Sequence, residues 1–498
     1  MRTKKYSPLI HSILFLFFLS LLVLPSGFTQ DTEQENSEVA EETEEVLSSE
    51  SETGDTDTTE SEDIFASMKI TGSFNASYEF RDFDDRDDHD VYSYFSLRFK
   101  DIVKDRVDAV FSGYLTEDLN SPSRDVNDPY DPFRELNDFY KNDWFRIFTL
   151  YANIHDVGLE NSTLRVGRQI LEDIDYGHFD GISYMFEPAE NWDVTLWGGR
   201  PVTFYSSTDG DWFYGGNVEH RFSNQTKAAL RYYRYDATNE DDLAAAEVWH
   251  MFTPNIQSHL EFSFLDWDPY LLQSDNWFRY DPYDVDVLLQ VIRLFDDVND
   301  HTINFNPYFP LLHSWEPFTY ASLFVTKGIT EQISLTGGID VREADSIRDP
   351  AVAYTNRDFL RYTVGVEYSP IKFWTLGVNA EFWDVNNGDE FTGISGEMEF
   401  EPVKQWKFTA GAQYGEYIQH YRDEFLYFFG EEVLFRIEPE VITYYARIKW
   451  QPTSRFYTSL MVEYEDDNWD YQGAEIDYDS WFDEDDWFRL RLQVGVNF

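Results

Sequence analysis

Arg165, Arg231, Arg342, Arg361, Lys407, Arg447, Lys449, Arg489 and Arg491, together with Glu367 and Glu381, are the side chains whose spacing constrains chemistry most. Most of them stand between two apolar neighbours, as Arg489 and Arg491 do within Phe488-Arg-Leu490-Arg-Leu492. General acid–base or nucleophilic catalysis needs its groups gathered within hydrogen-bonding reach, and these are spread along the chain. Of the 10 histidines, His178, His250, His259 and His313 fall near strand ends or loops, with no Ser/His/Asp set at motif spacing. The chain has 0 cysteines, which excludes disulfides, thiolate metal sites, iron–sulfur clusters and covalent c-type haem. No catalytic residue or cofactor is therefore expected, and spacing alone specifies no metal ligand set. Charged groups repeated at single-residue alternation suit a different task, which is to line a wall that borders water.

The elements that position them follow from the alternation. Phe488, Leu490, Leu492, Val494, Val496 and Phe498 alternate with polar or small residues, as do Leu360 to Tyr368, Trp374 to Phe382, Trp406 to Tyr414 and Ile442 to Trp450. Successive side chains of a strand point to opposite faces, so each run has one apolar and one polar face. A second repeat joins such runs: Phe186-Glu-Pro188 then Trp192, Tyr368-Ser-Pro370 then Trp374, Phe400-Glu-Pro402 then Trp406, and Trp450-Gln-Pro452 then Phe456. Proline presets a turn and cannot donate to a ladder, so these read as tight hairpins flanked by rings. The other connections read as longer and acidic, among them DFDDRDDHD after Arg81 and the stretch from Asn120.

This is the pattern of an all-β, up-and-down antiparallel transmembrane barrel, with short periplasmic turns and long acidic extracellular loops. Parity gives about 20 strands, within a range of 18–22. Between Asp268 and Glu316 the alternation fails. Val287, Leu288, Val291, Ile292 and Phe295 recur at helical spacing behind Asp284, which predicts a helix in an inserted loop that constricts the barrel. An additional hairpin, giving 22 strands, is the alternative.

The chain divides into residues 1–30, 31–66 and 67–498. Arg2, Lys4 and Lys5 precede an apolar run from Ile13 to Leu24 and then Pro25, Ser26 and Gly27, the layout of an export signal peptide. Residues 31–66 are nearly all acidic or polar up to Asp63, a composition that disfavours a packed core and predicts a disordered periplasmic segment. The formal charge of −56 excludes a nucleic-acid partner.

The run from Phe488 to Phe498 matches the roughly 9–11 tilted residues that cross a bilayer. An arginine facing lipid near the midplane costs about 2–4 kcal/mol, so the arginines are expected to face the lumen. A last strand of alternating apolar residues ending in Phe498 resembles that of Gram-negative outer-membrane barrels. The resemblance implies that the barrel assembly machinery reads Phe498 as its signal, and that lipid and lipopolysaccharide surround the barrel. Leu164 to Gln169 with Phe179, Asp180 and Gly181 is similar to the GRQ-containing hairpin of porin-like outer-membrane proteins, including the alginate-export type. That implies a channel in the outer membrane. Such a barrel could serve as a porin-like channel for ions or small polar solutes, the sleeve of a porin–cytochrome electron conduit, a polysaccharide export channel, or a barrel hydrolase. Acidic rims are expected to concentrate divalent cations.

Overall fold

The computed structural model describes residues 68–83, 86–103, 105–119, 145–171, 177–202, 210–236, 240–296, 317–345, 358–386, 388–422, 434–472 and 486–498. The expected leader over 1–30, the acidic segment 31–66, His313 and most of the acidic connections lie outside them.

The described chain forms β1 (Lys69–Phe83), β2 (Arg86–Lys100), β3 (Val107–Asp118), β4 (Phe145–His155), β5 (Thr163–Ile170), β6 (His178–Ala189) and β7 (Trp192–Pro201). There follow β8 (Trp212–Ser223), β9 (Thr226–Asp236), β10 (Glu240–Thr253), β11 (Ile256–Leu265), β12 (Asp268–Tyr280), β13 (Val285–Leu294), β14 (Phe318–Thr330) and β15 (Ile333–Ala344). The last are β16 (Phe359–Ile371), β17 (Trp374–Val385), β18 (Glu390–Val403), β19 (Trp406–Arg422), β20 (Leu434–Thr453), β21 (Phe456–Gln472) and β22 (Asp486–Asn497). Each pairs antiparallel with its chain neighbours, and β1 pairs with β22, so the 22-stranded sheet is a closed up-and-down barrel. The seam ends on Phe498, whose N–H donates to the Gly72 carbonyl at 3.0 Å while the Gly72 N–H donates to its carbonyl at 2.8 Å. A Cβ at Gly72 would lie 2.6 Å from the Ser96 carbonyl oxygen and 2.9 Å from the Phe498 ring, so this approach needs glycine.

The ring-flanked hairpins form as the sequence predicts. The register shifts between Phe186 and Ala189, Tyr368 and Ile371, Phe400 and Val403, and Trp450 and Thr453, each shift sitting at the proline. A bulge there is how a strand accommodates a residue that cannot donate. The flanking rings meet across hairpins: Trp374 and Phe400 are 4.9 Å apart, Trp406 and Trp450 5.9 Å, and Trp450 and Phe456 5.9 Å.

The helix expected over 284–300 does not form. Val285–Leu294 is β13, paired to β12 and β14, and it completes the count of 22. Val287 and Val291 point to one face and Leu288 and Ile292 to the other, while Phe295 follows the strand end with its N–H donated to the Tyr270 carbonyl at 2.8 Å. The periodicity misleads because both faces are apolar here: Leu294 packs against Phe318 and Ala344, with Ile292 and Tyr320 beside them. The β12–β13 connection is a single 3₁₀ turn, Asp281–Tyr283, with Asp284 at φ 49°. Asn255 and Arg279 donate to the Asp281 side chain at 2.6 and 2.8 Å and hold its carboxyl below the usual carboxylate range. That contact is present above the usual carboxylate range and is lost as acidification protonates Asp281.

Because the chain lacks cysteine, the hairpin is open to a disulfide test. Asn276 and Leu289 are direct partners in the β12–β13 register, at a cross-strand Cα separation of about 4.5–5.5 Å. Asn276→Cys with Leu289→Cys is expected to cross-link to near completion under mild oxidation, and Asn276→Cys with Leu288→Cys to remain largely reduced. Equal cross-linking of both pairs, read on a non-reducing gel, would contradict this register.

Some connections expected to be long and acidic are short. β1 and β2 are separated by two residues, and Asp87–Asp90, read as loop, lies in β2. Arg81 ion-pairs with Asp88 and lies 2.9 Å from Asp90, so one cation offsets part of the acidic run across the hairpin. β11 and β12 are joined by Asp266 and Trp267 alone, both at positive φ (51° and 73°), the conformation of a two-residue type I′ hairpin.

Candidate functional site: the charged face of the barrel

Direct partners in an antiparallel register share a face, so parity can be followed around the closed sheet. One face carries Leu230, Val364, Val378, Ile394, Tyr444, Ile448 and Leu492, all exposed. The other carries Arg165, Arg231, Arg342, Arg361, Glu367, Glu381, Lys407, Arg447, Lys449, Arg489 and Arg491, and register brings acids beside several of the bases, while Arg168 and Asp180 pair on the apolar face.

Arg231 ion-pairs with Glu247. Arg361 Nε is 2.9 Å from Glu381 Oε1 and 3.6 Å from Asp340 Oδ2, and Glu381 also accepts the Trp383 indole N–H. Lys407 Nζ is 2.5 Å from Glu399 and 3.6 Å from Glu401. Arg165 donates to Asn153 at 2.9 Å and lies over the Tyr151 ring at 4.3 Å. Arg342 is buried over the Phe318 ring at 4.2 Å. Lys449 lies 5.2 Å from the Tyr457 ring centroid, and Arg447 donates to the Met461 sulfur at 3.3 Å. Glu367 is exposed, opposite Ser334 and Gly377.

The two arginines of β22 converge. Arg489 Nη2 is 2.6 Å from Glu79 Oε1, and Arg491 Nη2 is 2.5 Å from Glu79 Oε2, with Arg491 Nε at 2.7 Å from the same oxygen. Glu79 belongs to β1, so this clamp spans the seam that closes the barrel. Pairs of partly exposed ions contribute about 0–1 kcal/mol each, so most of this face shapes the local field more than it stabilises the fold. The Glu79 clamp differs because its carboxylate is only 2% exposed.

The GRQ hairpin has a structural account. Gly167 sits at φ 128°, and a Cβ there would lie 2.2 Å from the Leu150 carbonyl oxygen. Arg168 forks onto Asp180 at 2.8 and 2.7 Å. Gln169, fully buried, accepts from Ser183 at 2.6 Å and donates to the Gly181 carbonyl at 3.2 Å. The motif residues lock β5 to β6.

No family model and no curated protein matches this chain. Among solved structures it is similar to OpdQ of Pseudomonas aeruginosa, with 12% identity and a TM-score of 0.40 over 87% of this chain and 99% of that one. OccAB4 of Acinetobacter baumannii is similar at 13% identity and a TM-score of 0.41, covering 86% of this chain and 98% of its own. OccK2 (OpdF) of Pseudomonas aeruginosa is similar at 9% identity and a TM-score of 0.41, covering 87% and 99%.

Sequence reading missed three features, two of them on the charged face. Glu79, Arg81, Asp88 and Asp90 are buried there, the first two on a strand whose parity could have shown them. A packed apolar group, Phe179, Trp197, Phe213, Tyr233, Tyr235, Leu243 and Leu265, occupies the same face on β6 to β11. Parity carried that signal too, since these residues alternate with exposed apolar ones such as Leu196, Tyr214 and Tyr232. The third, the strand-bridging histidines, is divided between the faces, with His155 and His259 on the charged one and His178 and His250 on the other. His155 contacts Thr163 and Asp108 at 3.1 Å each, His178 donates to the Phe148 carbonyl at 2.7 Å, and His250 meets Thr226 at 2.8 Å. His259 contacts Asp275 at 3.3 Å.

Proposed function

We propose that this chain is an outer-membrane channel that passes ions or small polar solutes through a water-filled lumen bounded by the charged face. The observation that carries this is the two-sidedness of a closed 22-stranded cylinder, with one face of exposed apolar residues and the other lined by paired charges. Closure leaves no unpaired edge, which a bilayer core demands. Barrels of 16–18 strands already enclose more space than side chains fill. In this reading lipid and lipopolysaccharide contact the apolar face, the rings at the proline hairpins sit at a headgroup boundary, the assembly machinery acts on the Phe498 strand, and a leader over 1–30 directs export. Divalent cations collect at the acidic rims.

Export of an anionic polysaccharide draws less support, because Arg231, Arg361, Lys407, Arg489 and Arg491 are each engaged by carboxylates. Among the described residues, Arg98, Arg165, Arg447 and Lys449 of this face have no carboxylate within ion-pair distance, and they lie on separate parts of the wall, on β2, β5 and β20. Neither the sleeve of an electron conduit nor a barrel hydrolase has a specific observation favouring it.

Protein reconstituted in a planar bilayer is expected to give stepwise conductance, with the reversal potential in a salt gradient reporting ion preference. Heat-modifiable, folded protein that inserts without any conductance steps would overturn the channel reading.

A further inference from the structure

Glu247 of β10 and His259 and Glu261 of β11 lie on the charged face, and one donor atom from each falls within 4.8 Å of the others. Glu247 and Glu261 are direct partners in the β10–β11 register. Like charges placed directly opposite on a sheet repel, so this position calls for a cation. Arg231 supplies one on the Oε1 side of Glu247. The other oxygen, Oε2, faces His259 Nε2 at 3.8 Å.

That separation is too long for a hydrogen bond, and His259 Nε2 is buried with no hydrogen-bond partner. It is close to the edge of about 3.4 Å between two ligands that each bind a tetrahedral cation at about 2.1 Å. The rest of the imidazole is held in place. Its Nδ1 meets Asp275 Oδ2 at 3.3 Å, and Asp275 in turn accepts from Gln273 at 2.8 Å and Gln290 at 2.7 Å. Trp249 stacks on the ring at 4.8 Å and 10°. A carboxylate on one imidazole nitrogen fixes the tautomer and presents the lone pair of the other nitrogen to a metal.

We propose that Glu247, His259 and Glu261 bind a divalent first-row transition cation, with Asp275 as the residue that positions His259. One imidazole and two carboxylates suit Zn²⁺, Co²⁺ or Ni²⁺, whereas sites built only of oxygen suit Mg²⁺ or Ca²⁺. The site is a property of the wall and does not depend on solute passage.

The test is a Co²⁺ titration of the full, untagged chain folded in detergent, followed by its visible d–d absorption and by displacement with Zn²⁺. One saturable site per barrel is expected. His259→Gln and Glu261→Gln should each weaken it at least tenfold, and Asp275→Asn by about 10–100-fold, the range found when such outer partners are removed. Heat-modifiable mobility on gels checks that each variant folds, and Glu261→Gln carries the test if His259→Gln does not. Folded wild-type protein without saturable Co²⁺ absorption would overturn the proposal. So would affinity unchanged in both variants, which would place the ion on the acidic segments or nowhere specific. Conductance is not the readout, so failure of the channel reading leaves this result intact.

Discussion

Val364→Arg is expected to destabilise the barrel by about 2–4 kcal/mol, the cost of a cation on the lipid face near the bilayer midplane. That is a shift of roughly thirtyfold to nearly a thousandfold in the folding equilibrium. Val364 lies near the centre of β16 and is 57% exposed on the apolar face. Its neighbour Thr363 points to the other face, directly opposite Glu381, and there a guanidinium meets a carboxylate and water. Thr363→Arg is accordingly expected to change stability by no more than about 0.5 kcal/mol. Denaturant unfolding in lipid vesicles, scored by heat-modifiable mobility, separates the two. Equal effects from the two substitutions would contradict the assignment of faces.

The second large effect is expected at the seam. Glu79→Ala removes the one carboxylate that holds both Arg489 and Arg491, leaving two guanidinium groups side by side on β22. Breaking a fully buried ion pair typically costs about 3–5 kcal/mol. The arginine side chains are 25% and 40% exposed and recover part of their hydration, so about 1–3 kcal/mol is expected here. Adding Arg491→Ala should restore part of the loss, since it removes one of the stranded charges. A midpoint of unfolding unchanged within error in Glu79→Ala would show that the clamp contributes nothing to closure.

The contrast between these two sites shows what alternation can reveal. In β16, β17, β19, β20 and β22 one face is apolar and the other polar, so parity alone assigned Arg361, Glu381, Lys407, Arg447, Lys449, Arg489 and Arg491 to a common side. Their partners were not legible, because pairing depends on register between strands far apart in the chain: Glu79 and Arg491 are separated by 412 positions. The β12–β13 hairpin escaped for a different reason. Val287, Leu289 and Val291 face one side while Leu288, Ile292 and Leu294 face the other, so the period of two vanishes and a helical spacing takes its place. Acidity misled at Asp88 and Asp90, where a run of carboxylates resembling a solvated loop is drawn into a strand by Arg81. The Glu247–His259–Glu261 group needed both kinds of knowledge, parity to bring the three to one face and register to set Glu247 against Glu261.

Which face meets lipid is the claim on which the channel reading rests, and depth-resolved fluorescence quenching tests it directly. Single cysteines placed at 363, 364, 366 and 367 of β16, each labelled with an environment-sensitive dye, can be challenged with quenchers carried on acyl chains and with quenchers dissolved in water. Labels at 364 and 366 are expected to respond to the acyl-chain quencher, and labels at 363 and 367 to the aqueous one. The reverse pattern, or no alternation along the strand, would contradict a lipid-facing apolar side and a water-facing charged one.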